Sequence, residues 1–202
     1  MGIFWKSKKS NAQVVVVTKY LDAEKTKEIW QEIGAHKEVW GLGENRVDAL
    51  IQKNMPREKV HFIGNIQSRK IPEIVRHSSV VHSLQKVEHA EKFASTLHEL
   101  EMGFFIQINI SREPQKSGIL PEDLGNFLEK IKPFELDIMG ISAMGAGEFD
   151  ADQKRREFRE LVSLRDIYLP GKLISAGTSR DYEIALEEGI DVVRVGRGFF
   201  EE

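Results

Sequence analysis

Short apolar runs alternate with charged, amphipathic stretches along this 202-residue chain. The runs read as strands near Val14–Thr18, Val39–Leu42, Val60–Ile63, Val80–His82, Phe104–Ile108, Asp137–Gly140, Lys172–Ile174 and Val192–Val195. β-Branched and aromatic residues concentrate there and turn formers bound them. Between them apolar positions recur at helical spacing, which predicts helices over Ala23–Ile33, Arg46–Gln52, Arg69–Arg76, Val87–Glu99, Glu122–Ile131, Asp152–Asp166 and Arg180–Glu188. Val14-Val15-Val16-Val17 is apolar at every position instead of every second one, the mark of a strand buried on both faces in a parallel sheet. Eight such strands, spaced by roughly 20 to 35 residues, predict an α/β chain closed into a (β/α)8 TIM barrel, even though about 250 residues is the usual size. An open doubly wound sheet is the alternative. It fits less well because glycine and polar residues collect after nearly every strand and not at one switch point. No Pro/Ser-rich linker interrupts the pattern, so the expected organisation is a short N-terminal segment, 1–13, and one barrel domain, 14–202.

The positions just after the strands carry the candidate chemistry. Lys19 ends the first apolar run, where burial of an amine lowers its pKa and frees the nitrogen to attack an aldehyde. A lone lysine there is more often an ordinary solvated loop residue. The far end of the chain tips the balance, because Gly177-Thr178-Ser179 and Arg194-Val195-Gly196-Arg197-Gly198 follow the last two strands. In a barrel those two loops are the habitual phosphate site, and all post-strand loops share one face. Thr178 or Ser179 is placed to cap the following helix while free N–H groups meet an anion. Also on that face fall Gly43-Glu44-Asn45, Gly64-Asn65, Ser83, Asn109 with Ser111, and Ser142 with Met144.

Composition removes several classes. Lys and Arg number 29 against 32 Asp and Glu, a net charge of −3, so no global basic field serves nucleic acid or an anionic membrane. There is no cysteine, hence no disulfide, thiol nucleophile or cysteine metal site. The six histidines lack ligand spacing, so no metal site is expected. Ile3-Phe4-Trp5 is too short for a signal-peptide core, and Lys6 stands where a myristoylation motif needs Ser or Thr, which makes the cytoplasm the expected compartment. Lys154-Arg155-Arg156 reads as a solvated helix face, and Trp5, Trp30 and Trp40 as packing residues.

From about Val14 to Phe200 the chain resembles the pyridoxal 5′-phosphate (PLP) homeostasis proteins, single-domain relatives of the alanine racemase N-terminal barrel. The motifs are Val17-Thr18-Lys19, Gly43-Glu44-Asn45, His61-Phe62-Ile63-Gly64-Asn65-Ile66-Gln67, Ile108-Asn109-Ile110-Ser111 and Lys116-Ser117-Gly118. They continue with Gly140-Ile141-Ser142-Ala143-Met144, Ser175-Ala176-Gly177-Thr178-Ser179-Arg180-Asp181 and Arg194-Val195-Gly196. The resemblance implies a PLP cofactor held as a Schiff base on Lys19. It implies a phosphate held by Gly177, Thr178, Ser179, Gly196 and Arg197, with Arg194 approaching the pyridine nitrogen. Asn45 would line the ring pocket, with His61, Ser83, Asn109 and Ser142 at or near it; His61 fits a satisfied core histidine equally well. Glu44 is expected to be a structural partner and Lys116 a solvated loop residue. Three positions depart from the family pattern: Leu21 where a second lysine is common, Arg69 for an asparagine, and Arg197 for a phosphate-binding hydroxyl. The N-terminal helix usual before the first strand is expected to be short or missing.

A guanidinium has only donors, so Arg194 facing a pyridine nitrogen keeps that nitrogen unprotonated and the ring a weak electron sink. Racemisation also needs a second proton-transfer group, which two-domain racemases take from outside the barrel. The expectation is therefore PLP homeostasis and delivery, with PLP-dependent apo-enzymes as partners, no nucleic acid or membrane, and a monomer or weak homodimer. The alternatives are a weak PLP-dependent amino-acid racemase or lyase, and a barrel aldolase acting on a sugar phosphate.

Overall fold

Eight parallel strands close on themselves in chain order: β1 (Gln13–Val17), β2 (Val39–Glu44), β3 (Val60–Phe62), β4 (Val80–Leu84), β5 (Gly103–Ile108), β6 (Asp137–Ala143), β7 (Leu173–Ser175) and β8 (Val192–Val195), with β8 pairing back to β1. The structure is a computed structural model and describes residues 11–144 and 150–196. Helices α1 (Ala23–Ile33), α2 (Val47–Lys53), α3 (Ile71–His77), α4 (Val87–Leu97), α5 (Leu124–Ile131), α6 (Ala151–Tyr168) and α7 (Tyr182–Glu187) fall between successive strands. The (β/α)8 barrel expected from the periodicity is the fold observed, in one domain.

The all-valine strand explains the layering. Side chains alternate along a strand, so a barrel strand has one face toward the helices and one toward the lumen. Val14 and Val16 join the large apolar layer under the helices, with Ile29, Leu42 and Phe104. Val15 points the other way and packs with Val80, Phe105 and Val192, against Trp40, Met139 and Leu173. This smaller cluster forms the floor of the lumen. Two residues further along the same strands the lumen turns polar: Val80 is succeeded by His82, Phe105 by Gln107, Leu173 by Ser175 and Val192 by Arg194, all buried. A period of two thus converts four apolar floor positions into four polar ones at the C-terminal end.

The structure alters several element ends. β6 runs through Gly140 to Ala143 because Gly140, at φ +157, accommodates a bulge opposite Phe104 and Phe105; a Cβ there would lie 1.8 Å from the Leu173 carbonyl oxygen. α7 begins at Tyr182 instead of Arg180, because Thr178 to Asp181 form a turn of their own. α1 and α6 are each capped by the preceding aspartate: the Asp22 and Asp150 side chains accept from the N–H groups of Lys25 and Gln153, both at 2.8 Å. Lys154 corrects the reading of its tripeptide as a solvated face: it is buried at 3 % exposure, within 3.6 Å of Asp181 and 3.5 Å of Glu157. Arg155 pairs with Glu187 and Glu188, so α6 is bound to α7 by charge. Trp40 packs in the floor and Trp30 against the outer layer, as packing residues; Trp5 and the rest of residues 1–10 lie outside the described residues.

Candidate functional site

A cavity of about 590 Å³ opens at the C-terminal ends of the strands, the face on which the post-strand residues were expected to converge. Lys19, Asn45, Ser142, Thr178, Ser179, Arg194 and Gly196 all line it. Among the described residues no acidic side chain does. A site with this many donors and no carboxylate favours an anionic ligand.

Lys19 stands at the rim in the turn after β1. It is exposed, with its ammonium 4.9 Å from the centroid of the Tyr20 ring. Exposure replaces the burial expected for this amine, since only its neighbour Thr18 is enclosed. Asn45 follows β2 directly, and the close approach of Gly64 to its backbone holds it there: a Cβ on Gly64 would lie 2.0 Å from the Asn45 carbonyl oxygen. Ser142 donates its hydroxyl to the His82 carbonyl.

Arg194 is the most constrained of these groups. Its Nη1 donates to the Ser175 carbonyl oxygen at 2.7 Å and to Ser175 Oγ at 2.8 Å, and Nη2 donates to the Ala143 carbonyl oxygen at 2.7 Å. Three of the five guanidinium N–H bonds are thereby used, which leaves Nε–H and one Nη2–H for the cavity. Burial lowers its pKa to about 10, with Asp181 opposing.

Arg194 also heads a buried file of side chains. Ser175 Oγ accepts from the guanidinium and lies 2.9 Å from His82 Nδ1, while His82 Nε2 lies 2.9 Å from His61 Nδ1. His61 Nε2 is buried without a hydrogen-bond partner among the described residues, and the His61 ring meets the Trp40 ring edge-on. Burial pushes the His61 pKa down to about 3, and burial, then His61 and Arg194, push His82 well below the usual imidazole value. Both imidazoles are neutral at physiological pH.

The turn after β7 divides its donors. Gly177 adopts φ +84, and a Cβ on it would lie 2.7 Å from the Ala185 Cβ. Thr178 lines the cavity, but its N–H and its hydroxyl both donate to Asp181 Oδ1, at 2.6 and 2.9 Å. Ser179 Oγ accepts from the Gly196 N–H at 3.1 Å, which ties the two loops together and leaves the Ser179 hydroxyl proton free to donate into the cavity. Arg180 lines the cavity as an exposed cation with no ion pair among the described residues.

Other expected residues are placed elsewhere. His61 lies beneath the cavity in the buried file. The Ser83 hydroxyl is buried and donates to the Gly64 carbonyl at 2.6 Å. Asn109 orders the loop after β5 by donating to the Glu113 carbonyl oxygen at 2.9 Å. Gly177 shapes the turn, and Arg197 lies outside the described residues. Glu44 is buried against Lys53, and Lys116 is ion-paired with Glu113 at 2.6 Å. Sequence reasoning missed His82, Gln107, Tyr20, Ile63 and Arg180 as cavity residues. For His82 and Gln107 the signal was present, since each follows a floor residue by two.

The family described as "Alanine racemase, N-terminal domain" matches residues 6–201. A pyridoxal phosphate homeostasis protein of Deinococcus radiodurans is 30 % identical over 191 residues, covering 93 % of this chain and 88 % of its own length. One of Aquifex aeolicus is 28 % identical over 174 residues, covering 79 % and 75 %. Among solved structures, PipY of Synechococcus elongatus PCC7942 without PLP superposes with a TM-score of 0.83 at 25 % identity, covering 98 % of both chains; PipY has also been solved with PLP bound.

Proposed function

The chain belongs to the alanine racemase N-terminal domain family, and on that premise we propose that it binds pyridoxal 5′-phosphate covalently through Lys19 and serves PLP homeostasis and delivery. The observation that carries the reading is one cavity, without an acidic side chain among the described residues, lined at once by an exposed amine after β1, a donor-only guanidinium on β8 and a serine hydroxyl after β7. PLP supplies an aldehyde for an amine, an electron-withdrawing ring and a dianionic phosphate. The residues present suit each part. Lys19 offers the amine. Arg194 offers its two remaining N–H bonds to an unprotonated ring nitrogen. Ser179 and Arg180 offer donors to the phosphate, a pairing in which guanidinium is strong. Thr178 and Gly177 shape the turn, with Gly196 held against Ser179 and Arg197 assigned to the same cradle. Asn45 and Ser142 wall the ring.

Two considerations favour delivery over turnover. A ring nitrogen that faces donors only stays unprotonated, which disfavours carbanion chemistry. The relatives from Deinococcus and Aquifex carry the name pyridoxal phosphate homeostasis protein. The reading extends to a cytoplasmic protein, monomeric or weakly dimeric, that hands PLP to apo-enzymes. Among the described residues no helix is long and apolar enough to cross a membrane.

The test is borohydride trapping. Wild-type protein incubated with PLP and reduced should carry a pyridoxyl group on the peptide containing Lys19, and Lys19→Ala should carry none. Label on a different lysine, or none on the wild type, would refute the assignment.

A further inference from the structure

Beneath Lys19 lies a pair of buried charges outside the cavity lining. Glu44 ends β2 and Lys53 ends α2, with residue exposures of 2 % and 4 %. Lys53 Nζ donates to Glu44 Oε1 and, at 2.7 Å, to the carbonyl oxygen of Thr18. The Thr18 hydroxyl donates to the same Glu44 oxygen at 2.7 Å. The Thr18 carbonyl also accepts from Leu21 N–H at 2.8 Å, and the Thr18 N–H donates to the Gly43 carbonyl at 3.1 Å. Every polar group of Thr18 is therefore held, and the peptide that leads into Lys19 is clamped to β2 and α2.

The arrangement is not the one that stability alone would select. Glu44 Oε2 is buried with no hydrogen-bond partner among the described residues, and well-packed apolar residues commonly match or better a buried ion pair in stability. What the charges provide that apolar residues lack is a directed donor on the Thr18 carbonyl.

We infer that the Glu44–Lys53 pair is a positioning device for the reactive amine, fixing the Lys19 backbone at the cavity rim while leaving its exposed side chain free to swing onto an aldehyde. The inference rests on the proposed PLP reading. Misplacing a reacting group by about 1 Å can cost about a hundredfold in rate, so loss of one of two donors on the Thr18 carbonyl should slow capture by about tenfold.

The experiment compares wild type with the double variant Glu44→Met/Lys53→Met, which removes both charges at similar volume. The expected result is a folded protein whose borohydride-trappable capture of PLP at Lys19 is about tenfold slower, with unchanged affinity for pyridoxine 5′-phosphate, which has the phosphate and ring but no aldehyde. Capture at the wild-type rate would overturn the inference, as would a proportionate loss of pyridoxine 5′-phosphate affinity, the mark of a generally loosened site. Should the double variant not fold, Thr18→Val decides. It leaves the ion pair intact and cuts only the hydroxyl link, so capture should slow severalfold, and a wild-type rate refutes the clamp. Wild-type protein that captures no PLP at Lys19 but still binds pyridoxine 5′-phosphate would sink the covalent reading, and the clamp with it.

Discussion

Replacing His61 by glutamine removes a titrating group from the barrel interior while keeping a hydrogen-bond partner for His82 Nε2. In the folded protein burial holds His61 unprotonated down to about pH 3, whereas an unfolded chain protonates the same imidazole near pH 6.5. As pH falls from 8 to 5.5 the unfolded state gains a proton that the folded state refuses. The unfolded state is therefore favoured, and stability drops. Integrating the linkage over that interval gives a loss of about 1.4 kcal/mol from His61 alone, and most of it accrues below the unfolded pKa. His82 is shifted in the same direction by burial and contributes its own loss, but it is present in both proteins and largely cancels in the comparison. Stopping at pH 5.5 keeps the carboxylates out of the measurement. Urea unfolding of wild type and His61→Gln at the two pH values should show the wild type losing about 1.4 kcal/mol more than the variant. Parallel losses would refute the reasoning, because they would mean that His61 takes up a proton in place despite its burial.

The other expectations concern the cavity and the strand geometry. Arg180→Ala should weaken PLP binding about tenfold through loss of one charge-assisted contact and leave binding of pyridoxal, which lacks the phosphate, unchanged; equal effects on both would remove Arg180 from the phosphate cradle. Gly140→Ala combines a φ of +157 with a Cβ 1.8 Å from the Leu173 carbonyl, and should cost on the order of 3 kcal/mol in urea unfolding. A midpoint close to wild type would show that β6 can shift away from β7 cheaply. The borohydride experiment on Lys19→Ala completes the set.

The alternation of apolar runs and amphipathic stretches, with turn formers after each strand, determines an eight-unit parallel barrel without reference to tertiary contacts. That periodicity is local, and in a barrel it carries one further consequence, that all post-strand residues share a rim. Lys19, Asn45, Ser142, Ser179 and Arg194 were legible as cavity residues for that reason. Only the tertiary structure decided which donors still face the cavity. Thr178 and Ser179 look alike in sequence, yet Asp181 takes both donors of the first while the second keeps its hydroxyl proton. The burial of Lys53, Lys154 and Glu44 was equally invisible, because a charge reads as solvated until a partner from another element closes over it. Strand and helix follow from which residues are apolar and at what interval. Which polar groups meet is decided across the barrel, where Arg194 on β8, Ser175 on β7, His82 on β4 and His61 on β3 form one hydrogen-bonded file.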